Sequence, residues 1–295
     1  MNYITAHFNP DTDAIACVLG MAALAGPGWT PVISGRPDDE ALWVLDHLNI
    51  PVPPSTTDFS DAEKIILLDT HFLPQLPDDF PADKVIRIID HHPGNDFSAF
   101  PNAREIYNKC GGAAASIFVR MMPSEKILDK KILRLLGLAI QSNSNNLRSW
   151  STNDFDRGSY AAIGKIAPIH NDEIAGMFGA RARILKEGAY KTLAADFKLF
   201  DTDDGKLGIS QIEQWGLFGW LETVDIESAL RSLAADKGLD LCAVNCADIS
   251  VCQSIVFTVN DRTAELMRRA TGLPFAGGTQ QFGEMVLRKN LTGKL

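Results

Sequence analysis

The sequence predicts an α/β protein of two domains, on three observations. The chain has 295 residues, more than a single hydrophobic core usually organises. Its first half alternates short apolar runs with segments of helical period, the pattern of a mainly parallel sheet with helices on both faces. Beyond about residue 188 the pattern changes to a smaller α/β unit. The predicted domains are therefore 1–184 and 190–295.

The elements follow in order. Residues 3–6 read as a strand ending at His7, and 14–24 as a helix of small residues. Residues 30–34 are a second strand, and 38–48 have helical period. The runs KIILLD (64–69) and KVIRIID (84–90) are buried strands, and 113–122 and 130–141 are helices. Pro-rich loops occupy 51–54 and 73–81. Residues 172–191, rich in Ala, Arg and Lys, read as one long helix. In the second half, 207–213 is a strand and 226–237 a helix. Two strands lie within 239–258 around a turn near 247–249, and 263–271 is helical.

Composition narrows the function. Hydrophobic residues make up 45% and charged residues 22%, as in an ordinary soluble globular protein. No apolar run approaches the ~18 residues of a membrane span, and the N-terminus lacks a signal-peptide pattern. The expectation is a cytoplasmic protein without a membrane partner. The net charge of −9 speaks against a general nucleic-acid binder. It leaves room for an anionic substrate where cations reverse the local field. Five cysteines give an odd, scattered set, unlike a disulfide framework. Cys242, Cys246 and Cys252 lie in an apolar stretch without CxxC spacing and read as small buried hydrophobes.

The chemistry gathers at strand ends, where open parallel sheets bind their ligands. His7 opens the segment HFNPDTDA, Asp69 ends the 64–69 run, and Asp90 is followed by His91 and His92. Several buried carboxylates without partners would cost several kcal/mol each. A bound cation offsets that cost. Oxygen donors with one imidazole per site suit Mn²⁺, Mg²⁺ or Co²⁺ better than a thiolate zinc site. A carboxylate can bridge two cations about 3.5–4 Å apart, and water between them becomes a nucleophile at neutral pH. Asp69, ending the middle of the three strands, suits the bridging role.

HFNPDTDA, LLDT at 67–70 and DHH at 90–92 resemble motifs I to III of the DHH superfamily of phosphoesterases. They are most similar to the family II, manganese-dependent inorganic pyrophosphatases. The resemblance implies a DHH catalytic domain followed by a DHHA2-like domain. It also implies two-metal hydrolysis of a phosphoanhydride, pyrophosphate above all, through a bridging hydroxide. By the same resemblance His7 and Asp11 hold one Mn²⁺, Asp13 and His91 the other, and Asp69 bridges them. Mg²⁺ or Co²⁺ could take the same places. Asp90 would orient an imidazole, and His92 would face the substrate and protonate the leaving phosphate.

The resemblance extends past the first domain. Residues 195–198 (ADFK) and 208–213 (GISQIE) look like the start of a DHHA2 domain, and VLRKN at 286–290 resembles the Ser-Arg-Lys-Lys signature. Lys198, Arg288 and Lys289 would then bind phosphate, the Arg through its bidentate fork. The implied partner is a small phosphate-containing substrate, in a cleft between the domains. A homodimer through an edge strand of the first domain is also implied. The DHHA1 signature of the nucleic-acid-cleaving branch is missing: Thr279, not His, follows Gly277 and Gly278.

Motif IV departs from the family. The family reads Ser-Asp-Thr there, and here Asn143 falls on the metal-binding Asp, with Gln141, Asn145 and Asn146 at usually apolar positions. Asn143 is expected to ligate the second cation through its neutral amide oxygen. Leu287 replaces the signature Ser and Asn290 the last Lys. Thr70 and His71 stand where His-Asn is usual, so His71 is either an additional site residue or a loop histidine. These changes keep two alternatives in view: hydrolysis of short polyphosphate or a nucleotide-derived phosphoester, and a degenerate member that binds without turnover.

Overall fold

A computed structural model describes residues 1–92, 94–108, 115, 118–119, 129–149, 152–272, 275 and 278–292. The chain divides into two units, Met1–Ala180 and Arg181–Leu295.

The first unit is built on five parallel strands: β1 (Asn2–Thr5), β2 (Thr30–Pro31), β3 (Lys64–Leu68), β4 (Val85–Asp90) and β5 (Glu105–Asn108). Their order is β2-β1-β3-β4-β5. From β1 the chain goes through helix α1 (Thr12–Ala25) to β2 on one side, then returns to add β3 on the other. The direction of winding therefore switches between β1 and β3, which opens a crevice at their carboxyl ends. Alternate side chains separate the two faces of the sheet. Tyr3, Ile65, Leu67, Val85 and Ile88 pack with Phe59, Phe80 and Phe100 from the intervening segments. Ile4, Ile66, Leu68 and Ile89 are buried with the opposite parity. Helix α1 lies against β1, β2 and β3, and α2 (Asp39–His47) and α3 (Lys130–Asn143) pack on α1.

Each of these helices begins at an Asp cap. Asp11, Asp38 and Asp129 accept from the backbone N–H groups of Ala14, Ala41 and Lys131, meeting donors the helix leaves open. Helix α4 (Asp154–Ile166) starts with a capping box between Asn153 and Asp156. The helix expected over 113–122 lies mostly outside the described residues.

The segment read as one long helix over 172–191 is three pieces. They are α5 (Asn171–Arg181), a 3₁₀ turn (Ala182–Glu187) and α6 (Ala189–Ala195). Gly188, at φ 89°, breaks the period; the favourable helix composition does not override that turn.

The second unit carries a mixed sheet, β10-β9-β8-β7-β6. Its strands are β6 (Phe197–Thr202), β7 (Gly205–Gln214), β8 (Leu241–Asp248), β9 (Gln253–Thr258) and β10 (Thr279–Phe282). Only β7 and β8 run parallel. Helix α7 (Leu217–Leu221) follows β7. On one face Cys242, Val244 and Cys246 meet Leu193 and the apolar stripe Ile226, Leu230 and Leu233 of α8 (Ile226–Asp236). On the other, Leu207, Ile209 and Ala243 meet Leu266 and Met267 of α9 (Asp261–Thr271) and Leu291 of α10 (Arg288–Thr292). Cys242 and Cys246 are thus core residues, and burial pushes both thiols up.

Candidate metal centre

The carboxyl ends of β1, β3 and β4 bring the sequence-predicted residues of motifs I to III together. His7 follows β1, Asp69 follows β3, and Asp90 ends β4 with His91 and His92 beyond it. Asp11 and Asp13 arrive from the N-terminus of α1, Asp11 as its cap and Asp13 in its first turn.

Asp69 is the pivot. Its side chain is buried, and its backbone is left-handed at φ 58°, a conformation that costs a non-glycine residue about 1 kcal/mol or more. Its two oxygens face different partners. Oδ2 lies 3.7 Å from His7 Nε2, which is 3.9 Å from Asp11 Oδ1. Oδ1 lies 3.2 Å from His91 Nε2, which is 3.8 Å from Asp13 Oδ2. One carboxylate thus joins two ligand sets, each with an imidazole and a further carboxylate. Ligand atoms of His7, Asp11 and Asp69 fall within 4.8 Å of one another, as do those of Asp69, His91 and His92.

Asn143, the last residue of α3, closes the second set. Its Nδ2 donates to Asp13 Oδ2 at 2.7 Å and stands 3.2 Å from His91 Nε2. A half-turn of the amide puts Oδ1 in the same place, as a neutral donor to a cation. The loop after it explains the asparagines. Asn145, Asn146 and Leu147 are left-handed in succession, at φ 47°, 59° and 59°, a region Asn tolerates better than apolar residues do.

The neighbouring contacts fix ligand orientation. His7 Nδ1 faces its neighbour Phe8 O at 3.1 Å, which leaves Nε2 turned toward Asp11 and Asp69. Asp13 Oδ1 accepts from the backbone N–H of Ala115 at 3.0 Å. Asp90 Oδ1 accepts from the backbone N–H groups of His91 and His92 and pairs with His92 Nδ1 at 2.8 Å. Asp90 Oδ2 pairs with Nδ1 of His71. His71, one of the open cases in the sequence, is therefore a buried partner of Asp90. Glu40 carried no sequence signal; buried, it accepts from Thr12 Oγ1 at 2.8 Å and from Ser142 Oγ, so it ties motif I to the end of α3.

Charge runs high in this crevice. Burial pushes the Asp69 carboxyl up, partly opposed by His91. Burial pulls His7 and His91 down, but Asp11 and Asp69 lift His7 to about 9, and Asp69 and Asp13 lift His91 to about 10. Burial raises Asp90, yet hydrogen bonds from His92 and His71 outweigh it and hold it at about 2. The bond to Asp90 raises His92 against burial. Protons thus neutralise a cluster whose donors suit hard divalent cations. Asp69 Oδ1 is buried with no hydrogen bond of proper geometry, although His91 Nε2 is close by. Such an orphaned oxygen fits a cation ligand.

In the second unit, Lys198, Phe200, Gln211, Glu213, Leu287, Arg288 and Thr292 line a cavity of about 340 Å³. The cation from β6 and the one from α10 thus share one concavity. Arg288 is buried, and its fork grips Asp196 through Nη2 at 2.7 and 3.0 Å, while Nη1 donates to Asp196 O at 2.9 Å. Lys289 follows it in α10; its side chain lies outside the described residues.

A parallel sheet with a two-set carboxylate–imidazole crevice, followed by a mixed sheet with a cavity lined by Lys198 and Arg288, defines a two-domain α/β protein with a candidate metal centre. The model of the DHH family, N-terminal domain, matches residues 2–140, and that of the DHHA2 domain matches 175–289. The chain belongs to the DHH superfamily, in its DHH–DHHA2 branch. It is 25% identical to a Bacillus cereus protein named "Probable manganese-dependent inorganic pyrophosphatase", over 97% of this chain and 94% of that one. A Bacillus thuringiensis protein of the same name matches equally. A crystal structure from Methanococcus jannaschii, described as a "putative family II inorganic pyrophosphatase", superposes with a TM-score of 0.62 at 26% identity. It covers 98% of this chain and 96% of that one. An exopolyphosphatase-related protein of Bacteroides fragilis shares the fold at a TM-score of 0.50 and 13% identity. Among the described residues no helix is long and apolar enough to cross a membrane.

Proposed function

We propose that this protein is a metal-dependent hydrolase of phosphoanhydrides, with inorganic pyrophosphate as its first substrate and two Mn²⁺ ions as its cofactor. The observation that carries this reading is the divided carboxylate of Asp69, one oxygen toward His7 and the other toward His91. His7, Asp11 and Asp69 hold one cation; Asp69, Asp13, His91 and Asn143 hold the other. Cations at such a site supply Lewis acidity toward phosphoryl oxygens and acidify a water. The chain's own groups do the rest. Asp90 takes Nδ1 of His92, which leaves Nε2 to hold a proton for the leaving phosphate. Lys198, which lines the cavity of the second unit, is assigned to phosphate as a fixed positive charge. Arg288, held by Asp196, shapes that cavity. Lys289 is assigned to phosphate by its place in the signature.

Specific departures favour a second substrate class. Arg288 is already paired, and Glu213 lines the cavity beside Lys198. Fewer uncommitted positive charges suit an anion less compact than pyrophosphate, such as short polyphosphate or a nucleotide-derived phosphoester. Phosphate release from a panel of these compounds, with Mn²⁺, Mg²⁺ or Co²⁺, tests both readings. Turnover of pyrophosphate at about 1 to 10³ per second supports the first. Release only from the longer or esterified substrates supports the second, and no release from any sinks the hydrolase reading.

A further inference from the structure

We propose that His71 is a positioning residue for this reaction: through Asp90 it fixes the imidazole of His92, so that Nδ1 stays on Asp90 and Nε2 is left to carry a proton. The inference rests on the role given to His92 above.

Three observations carry it. First, His71 is deeply buried, only 3% exposed. Its ring lies against Phe72 and Phe97 at centroid distances of 4.1 and 4.9 Å. An apolar ring would pack there equally well, so packing does not account for an imidazole.

Second, the two nitrogens of His71 are used unequally. Nδ1 bonds Asp90 Oδ2. Nε2 is buried and has no hydrogen-bond partner among the described residues. It faces Gly94, where an added Cβ would stand 2.9 Å away. Leaving a buried nitrogen unmet costs about 1–3 kcal/mol, and the bond to Asp90 is the polar contact that offsets it.

Third, Asp90 is fully buried and gripped on both oxygens. Oδ1 takes His92 Nδ1 and two backbone N–H groups. Oδ2 takes His71. Without a donor on Oδ2 the carboxylate can turn and give up its bond to His92, whose ring otherwise rests beside His91 at a centroid distance of 4.5 Å and edge-on to Phe72 at 6.5 Å; those contacts place the ring but do not set which nitrogen carries the proton. His71 thus acts on the reaction at two removes, as groups behind a ligand or acid commonly do.

The test compares His71→Phe, which keeps an aromatic ring, with His71→Asn, whose Nδ2 can donate in place of Nδ1. In the metal-free protein, the Nδ1–H of His92 should give a downfield, slowly exchanging NMR signal. That signal should be lost in His71→Phe and kept in His71→Asn. With Mn²⁺ and pyrophosphate, His71→Phe should lower kcat about 10- to 100-fold, with KM and Mn²⁺ affinity within about threefold, and His71→Asn should recover most of kcat. A folded His71→Phe protein with an unchanged His92 signal overturns the proposal, as does unchanged kcat. Should His71→Phe fail to fold, His71→Asn decides: loss of the His92 signal in that folded variant overturns it. Absence of phosphate release from the unmodified protein would count against the proposed function alone, because the ring signals still decide what His71 holds.

Discussion

Asn143→Asp restores the charge that the family places at motif IV, and the structure gives its effect opposite signs with and without metal. Asn143 Nδ2 donates to Asp13 Oδ2 at 2.7 Å. A carboxylate there replaces a hydrogen bond by a contact between anions. Two unit charges about 4 Å apart repel by about 4 kcal/mol at an effective dielectric of about 20, and the lost hydrogen bond adds about 1 kcal/mol. Sharing of a proton between the carboxyls recovers part of this, as does the raised His91 beside them. The metal-free variant is therefore expected to lose about 2–4 kcal/mol, a fall in Tm of roughly 5–10 °C. With Mn²⁺ the sign reverses. One more negative donor in the second set should tighten that cation about 10- to 100-fold, or about 1.4–2.8 kcal/mol. Calorimetric melting in EDTA and in Mn²⁺, beside a Mn²⁺ titration, measures both. Unchanged metal-free Tm together with unchanged affinity for the second ion would refute the placement of Asn143 in this cluster.

Two further outcomes follow from the ionisation of particular groups. His7 and His91, held at about 9 and about 10 without metal, carry protons at pH 7 that cations must displace, so Mn²⁺ affinity should climb with pH by up to about tenfold per unit for each proton released. Titration calorimetry in buffers of different ionisation enthalpy checks this, and zero proton release would contradict it. Because both values are raised, their contribution to metal-free stability is full below about pH 6.5 and is lost as pH rises through 9 and 10; Tm in EDTA should fall over that window. Glu173 offers the opposite sign. Burial pushes its carboxyl up, but the backbone of His170, Arg134 and His47 outweigh it and hold it below the usual range. Its contribution is present above about pH 4.3 and lost as pH falls below that. Glu173→Gln should cost about 2 kcal/mol at pH 7, reduced from the fully buried case because Arg134 and His47 are about a third exposed. Denaturant melts should show that difference shrinking toward pH 3.

Much of the centre was legible because the motifs sit where strand geometry ends. His7, Asp69 and Asp90 each close an apolar run of buried-strand composition, and such runs are readable from one sequence. The left-handed turn at Asp69 and the inward reach of His71 were not, since neither leaves a periodic trace. His71 sits after a strand, where loop histidines are common, and only the fold brings it to Asp90, 19 residues on. Glu40 looked like an ordinary acidic residue in the first turn of a helix. Three edge strands, β5, β6 and β10, leave little trace in the sequence for a related reason, whereas the edge strand β2 is legible. β5 exposes Ile106, and β10 is the polar run Thr279–Phe282, so neither carries the apolar density of a central strand. β6 has no fully buried position, carries Lys198 and ends in Asp201 and Thr202, so it too lacks that apolar density.

Asp69 is proposed to join the two cation sets on which pyrophosphate hydrolysis depends. Its most direct test is phosphate release from pyrophosphate by the metal-free protein as Mn²⁺ is added in known equivalents. Little release is expected up to one equivalent bound per chain and a steep rise as the second binds, with Asp69→Asn silent throughout. Full activity at one equivalent, or release from Asp69→Asn equal to that of the unmodified protein, would contradict it.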